Sequence, residues 1–162
     1  LREPRPGADA AEAFTRIKGV AMNIVLVSHG MLCEGFMDAL RMMVSNPTSI
    51  SSVSLDDHGV DDFRTRLTSE IEHDLAKGNT IIMSDLYGGT PFNESYALYL
   101  QHPGSLRVIA GINFPMLIEV VVTATDNDSL DDVVRIALKA GSQGVVAAEL
   151  PEETADDADD LF

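Results

Sequence analysis

Two short segments hold side chains that could do chemistry together: Ser28-His29-Gly30 and Asp85-Leu86-Tyr87-Gly88-Gly89-Thr90-Pro91-Phe92-Asn93. The first offers an imidazole. The second offers a carboxylate, two glycines and a hydroxyl. A carboxylate that accepts a hydrogen bond from one imidazole nitrogen fixes the tautomer. It also stabilises the cation that forms when the other nitrogen bonds to phosphorus. The phosphoryl oxygens need donors of their own. Gly88 and Gly89 permit close backbone approach and unusual φ, and the loop amides, the Thr90 hydroxyl and the start of a helix at Pro91 can cradle an anion. His29 is thus the expected phosphoryl acceptor, Asp85 the group that orients its ring, and Gly88, Gly89 and Thr90 the phosphate holders. No P-loop lysine or magnesium-ligand set accompanies them. The phosphoryl group is therefore expected from another protein, with no cofactor and no metal.

The elements around these motifs explain why they should meet. Each motif follows an apolar run, Ile24-Val25-Leu26-Val27 or Thr80-Ile81-Ile82-Met83-Ser84, that reads as a strand buried on both faces. Further strands are expected at Ile50–Leu55, with a serine-rich edge character, and at Leu106–Ala110. A helix over about 31–44 carries an apolar stripe at Leu32, Phe36, Ala39, Leu40 and Met43. Val60, Phe63, Leu67, Ile71 and Leu75 line the next helix, which ends at Lys77-Gly78. Thr90 is the expected cap of a helix over 91–100, another helix starts near Pro115, and Ser129 caps the last. Strands alternating with helices predict an α/β fold: an open, doubly wound, mainly parallel sheet of order 2-1-3-4 with helices on both faces. A final strand is expected over residues 144–150. In that order the carboxyl ends of strands one and three flank the switch-point crevice, so His29 and Asp85 should face each other there.

Composition narrows the function classes. At 162 residues the chain is sized for one domain. Its net charge of −15 argues against nucleic acid as a partner, and no apolar stretch approaches the ~20 residues of a membrane span. The single cysteine, Cys33, fits a reducing compartment and simple packing. Residues 1–21, basic and rich in Pro, Gly and Ala, read as a leader; 22–150 form the domain; 151–162 form an acidic tail expected to be disordered. Asp56-Asp57-His58-Gly59-Val60-Asp61-Asp62 reads as a solvated loop leading a helix rather than as a metal site.

From about Met22 to Val146 the chain resembles the enzyme IIA component of the mannose family of the bacterial phosphoenolpyruvate-dependent sugar phosphotransferase system (PTS). Asp85–Asn93 is similar to that family's aspartate-x-aromatic-Gly-Gly-Ser/Thr-Pro-Phe-Asn signature, with Tyr87 where some members carry tryptophan. Ser28-His29-Gly30 looks like its phosphohistidine motif, and Val108–Leu117 like a third segment on the same edge. The resemblance implies a cytoplasmic protein in which His29 is phosphorylated on Nε2, with Asp85 on Nδ1–H. The phosphoryl donor would be the phosphocarrier HPr and the recipient an EIIB subunit, with the membrane reached only through EIIC and EIID. It implies Ser28, Gly30, Tyr87 and Asn113 as cleft lining. It also implies a homodimer whose last strand, carried over to 144–150, exchanges between subunits. The acidic tail stands where some members join IIA to IIB, so EIIB is expected as a separate chain.

Two alternatives keep a reactive histidine. One is the phosphotransfer subunit of a PTS-dependent dihydroxyacetone kinase. The other is a histidine phosphatase or mutase, which wants an arginine beside the histidine; here Ser28 precedes it and Arg41 lies well along the helix.

Overall fold

The computed structural model describes residues 22–45, 47, 49–125 and 128–150. The elements follow in the order β1 (Asn23–His29), α1 (Leu32–Met43), β2 (Ile50–Leu55), α2 (Val60–Leu75), β3 (Thr80–Ser84), α3 (Thr90–Gln101), β4 (Leu106–Ala110), α4 (Phe114–Thr123) and α5 (Leu130–Gln143). The four strands are parallel and ordered β2-β1-β3-β4. The expected α/β architecture is therefore the one observed.

Strand alternation divides the interior in two. Ile24, Leu26, Ile81 and Met83 pack with Leu40 of α1, Leu117 of α4 and Val133 of α5 on one face. Val25, Val27 and Ile82 pack with Phe63 and Leu67 of α2 and the partly buried Leu98 of α3 on the other. β1 and β3 are sandwiched between these layers, which is why both read as unbroken apolar runs. None of the described helices is long and apolar enough to cross a membrane.

Four expectations need correction or placing. The buried stripe of α1 is Cys33, Met37 and Leu40, whereas Leu32 and Met43 are exposed. Of the expected stripe, Leu40 is fully buried and Phe36 packs against the core, but the centre of the buried face is shifted toward Cys33 and Met37. With Met31, Leu32, Met42 and Met43 near both ends, hydropathy alone does not set the phase. Thr90 is not a helix cap: Gly89 occupies the N-cap position and Thr90 is the first helical residue. Residues 145–150 form no strand; they follow α5 without regular structure, and Val145, Val146 and Leu150 are exposed. Among the described residues nothing supplies the hydrogen-bond ladder that a strand requires. The expected leader 1–21 and tail 151–162 lie outside the described residues.

Candidate functional site

The alternation that builds the core also aims the site. Ser28 follows the parity of Ile24 and Leu26, and His29 that of Val25 and Val27, so the neighbours part company at the strand end. Ser28 is buried, at 1% exposure, on the α1 side. Its hydroxyl accepts from the Cys33 amide at 2.8 Å and donates to the Gly30 carbonyl at 3.1 Å. It thus organises the entry to α1 and is too enclosed to line a cleft. Gly30 makes the exit turn with φ +57°, and its amide donates to the Leu55 carbonyl at 2.8 Å.

His29 goes to the other side. The Asp85 amide donates to the Val27 carbonyl at 3.2 Å, which ties the exit of β3 to the end of β1. Asp85 Oδ2 then lies 2.9 Å from the His29 backbone nitrogen and 2.9 Å from His29 Nδ1. The imidazole is 45% exposed while the carboxylate is only 10% exposed. Burial pushes the Asp85 carboxyl up. Hydrogen bonds from the His29 amide, the His29 ring and the Leu86 amide outweigh that burial, so its pKa lies below the ordinary carboxylate value. An ionised carboxylate only accepts. Nδ1 must therefore carry the hydrogen, and in the neutral ring the free lone pair sits on Nε2.

The loop after β3 closes on that ring. Leu86 to Gly89 form a tight turn in which the Gly89 amide donates to the Leu86 carbonyl at 3.2 Å. Gly88 holds φ +76°, a value that a side chain would strain. A Cβ placed on Gly89 would stand 2.7 Å from His29 Cε1 and 3.3 Å from Nε2. Glycine here lets the imidazole edge rest directly against backbone. Since the Gly89 amide is used within the turn, the donors left for an anion at the head of α3 are the Thr90 and Phe92 amides and the Thr90 hydroxyl; Pro91 has no N–H. No acid occupies the first turn of α3, so the helix dipole there favours a negative ligand.

The remaining expected residues fall into different roles. Tyr87 is exposed beside the site and packs its ring on Phe92, with centroids 4.8 Å apart. Asn113 turns its amide into the fold instead. Its Oδ1 accepts from the Met116 amide at 3.0 Å, capping α4, and its Nδ2 donates to the Gly141 carbonyl of α5 at 2.8 Å. Asn93 had no role assigned from sequence, yet its Nδ2 donates to the Gly88 carbonyl at 3.0 Å. The available signal was an amide side chain in the first turn of a helix that a glycine turn precedes.

Residues 23–138 match the family model EIIA-man, described as "PTS system fructose IIA component". A "PTS system sorbose-specific EIIA component" from Lacticaseibacillus casei is 31% identical over 119 residues, covering 73% of this chain and 84% of that protein. A "PTS system mannose-specific EIIAB component" from Escherichia coli strain K12 is 29% identical over 128 residues. That match covers 76% of this chain but only 38% of the longer relative. The "mannose/sorbose specific IIA subunit of phosphotransferase system" from Enterococcus faecalis superposes with a TM-score of 0.68 at 30% identity, covering 82% of this chain and 98% of that one. A phosphotransferase system EIIA component from Streptococcus agalactiae gives 0.71 at 26% identity, covering 78% and 96%.

Proposed function

The chain belongs to the EIIA-man family of PTS system IIA components, and from that membership we propose that it is a phosphoryl carrier in sugar uptake, working through His29. One observation carries the reading: Asp85 Oδ2 holds both the backbone amide and Nδ1 of His29 at 2.9 Å. The ring is thereby fixed with Nε2 as its nucleophile, beside the donors at the head of α3.

Phospho-HPr is the donor in this reading. The His29 Nε2 lone pair attacks phosphorus. The new P–N bond forms as the donor's P–N bond breaks, and the released electron pair returns to the donor ring. The phosphorylated imidazole of His29 carries positive charge, which Asp85 offsets. Repetition of the step with a histidine of an EIIB subunit as nucleophile passes the group on. Sugar, and the EIIC and EIID membrane components that would meet it, have no contact with this subunit. The protein acts in the cytoplasm.

Phosphoenolpyruvate, enzyme I and HPr should load the wild-type chain with acid-labile, base-stable phosphate, and His29→Ala should take none. Onward transfer to ADP on a kinase partner rather than to EIIB would move the assignment to the dihydroxyacetone kinase subunit. Turnover of a small phosphate ester without carrier proteins would move it to the phosphatases.

The working unit in this proposal is a dimer. β4 pairs on one side only among the described residues, and residues 145–150 leave α5 with exposed valines. Exchange of that segment between two copies, each laying it along the other's open edge, would satisfy both. Light scattering should give twice the chain mass for the wild type and the monomer mass for a Val145→Asp, Val146→Asp variant. A monomeric wild type would end the proposal.

A further inference from the structure

We propose that Asn93 is a positioning residue that locks the Gly88–Gly89 peptide beneath the reacting imidazole; the inference rests on the carrier reading and deepens it. The peptide joins two glycines, so no side chain opposes its rotation. At Gly88, with φ +76°, even an added Cβ would meet nothing within 4 Å. Yet this peptide leads directly into the backbone against which the His29 ring rests, since a Cβ on Gly89 would reach 2.7 Å from Cε1.

A half-turn of the Gly88–Gly89 peptide would exchange the places of its carbonyl oxygen and its amide hydrogen. The half-turn would aim the Gly88 carbonyl at the Leu86 carbonyl and the Gly89 amide at the Asn93 amide group, opening the turn and shifting the Gly89 backbone on which the imidazole edge rests. Two hydrogen bonds oppose the half-turn. Within the turn, the Gly89 amide donates to the Leu86 carbonyl at 3.2 Å. From outside it, Asn93 Nδ2 holds the Gly88 carbonyl at 3.0 Å. Asn93 is anchored on α3, where its own amide donates to the Gly89 carbonyl at 2.9 Å. One residue thus grips both carbonyls of the glycine pair, one with its side chain and one with its backbone. Only the side-chain grip can be removed by substitution.

Amide spectra of ¹⁵N-labelled protein, combined with phosphoryl-transfer kinetics from phospho-HPr, test this. In Asn93→Ala the Gly88 and Gly89 signals should broaden or double while those of β1 and β4 stay in place. The maximal rate of phosphate acceptance should fall roughly tenfold, with the half-saturating HPr concentration unchanged. Asn93→Asp keeps the size of the side chain but loses the donor, and it should fall at least as far. A residue that merely fills space would tolerate aspartate, so an Asn93→Asp protein with wild-type rate and unaltered glycine signals overturns the proposal. Failure of the carrier reading looks different: the wild type itself would accept no phosphate, and the glycine signals alone would then decide whether the lock exists.

Discussion

Two histidines near the carboxyl edge of the sheet grip a carboxylate in the same way, and one of them rests on a glycine turn before an acid-free helix start while the other does not. At His29, Asp85 Oδ2 lies 2.9 Å from both the backbone nitrogen and Nδ1. At His58, Asp56 Oδ1 lies 3.0 Å from the backbone nitrogen and 2.9 Å from Nδ1. Leu55 pairs with His29 in the sheet register, so the second pair sits in the loop leaving the neighbouring strand. The surroundings differ. Asp56 is 36% exposed and His58 77%. Arg66 lies 3.6 Å from Asp56 and 2.7 Å from Asp62. The helix that follows His58 opens with Asp61 and Asp62, whereas the helix that follows Asp85 opens with no acid. An anion is repelled at one helix start and attracted at the other. The His–carboxylate pair alone therefore does not set His29 apart; the glycine turn against its ring and the acid-free helix start beside it do.

The sharpest way to break this comparison is to remove each imidazole. His29→Ala should abolish phosphate acceptance from phospho-HPr, and His58→Ala should leave it at the wild-type rate; labelling at His58 would make the two pairs equivalent. Next in size is the backbone contact. Gly89→Ala pushes a methyl group into the His29 ring and should slow transfer about a hundredfold with the circular dichroism spectrum retained. At Gly59, the N-cap of α2, a Cβ meets nothing within 4 Å although φ is +89°. Because φ +89° with ψ −179° is a region that essentially only glycine adopts, Gly59→Ala should cost roughly 1–3 kcal/mol of stability and leave transfer unchanged in stopped-flow assays.

The carboxylates come third. Asp85→Asn replaces an obligate acceptor by a group that can donate to Nδ1, and transfer should drop by roughly tenfold to a hundredfold. Asp56→Asn should alter only the titration of His58, seen in its ring proton shifts. The smallest effects are those of pH. Asp85 titrates below its ordinary 3.8 when folded. The stabilisation from its hydrogen bonds is thus complete above that value and is lost as pH falls through the lower folded pKa. The hydrogen bond that the His58 ring donates to Asp56, and the charges of Asp56 and Asp62, raise the His58 pKa above its ordinary 6.5. Its contribution is present below 6.5 and lost as pH rises through the folded value, and its exposure makes it slight. A urea midpoint that moves in the opposite direction across either window would contradict the assigned bonds.

Much of this was legible because the signals are local. An apolar run between turn residues gives a strand, and alternating strands and helices give a parallel sheet, so the meeting of His29 and Asp85 could be expected once the sheet was given the order 2-1-3-4. The phase of α1 was not legible, since apolar residues crowd both ends of that helix and only packing against the sheet selects Cys33, Met37 and Leu40. Ser28 looked like cleft lining because it adjoins His29 in sequence. Adjacency along a strand puts the two on opposite faces, and burial took Ser28 inward. Asn113 looked like lining because its segment borders the same edge, yet its amide is spent on joining α4 to α5.

By itself, then, the sequence determined which residues could react and which strand ends would carry them, because hydrophobic period and turn chemistry act over a few neighbouring residues. The tertiary structure decided that Asp85 reaches Nδ1 and that Gly89 must lack a side chain. Each of those depends on distances between segments far apart in the chain. Such distances are set only when both layers of helices have packed against the sheet.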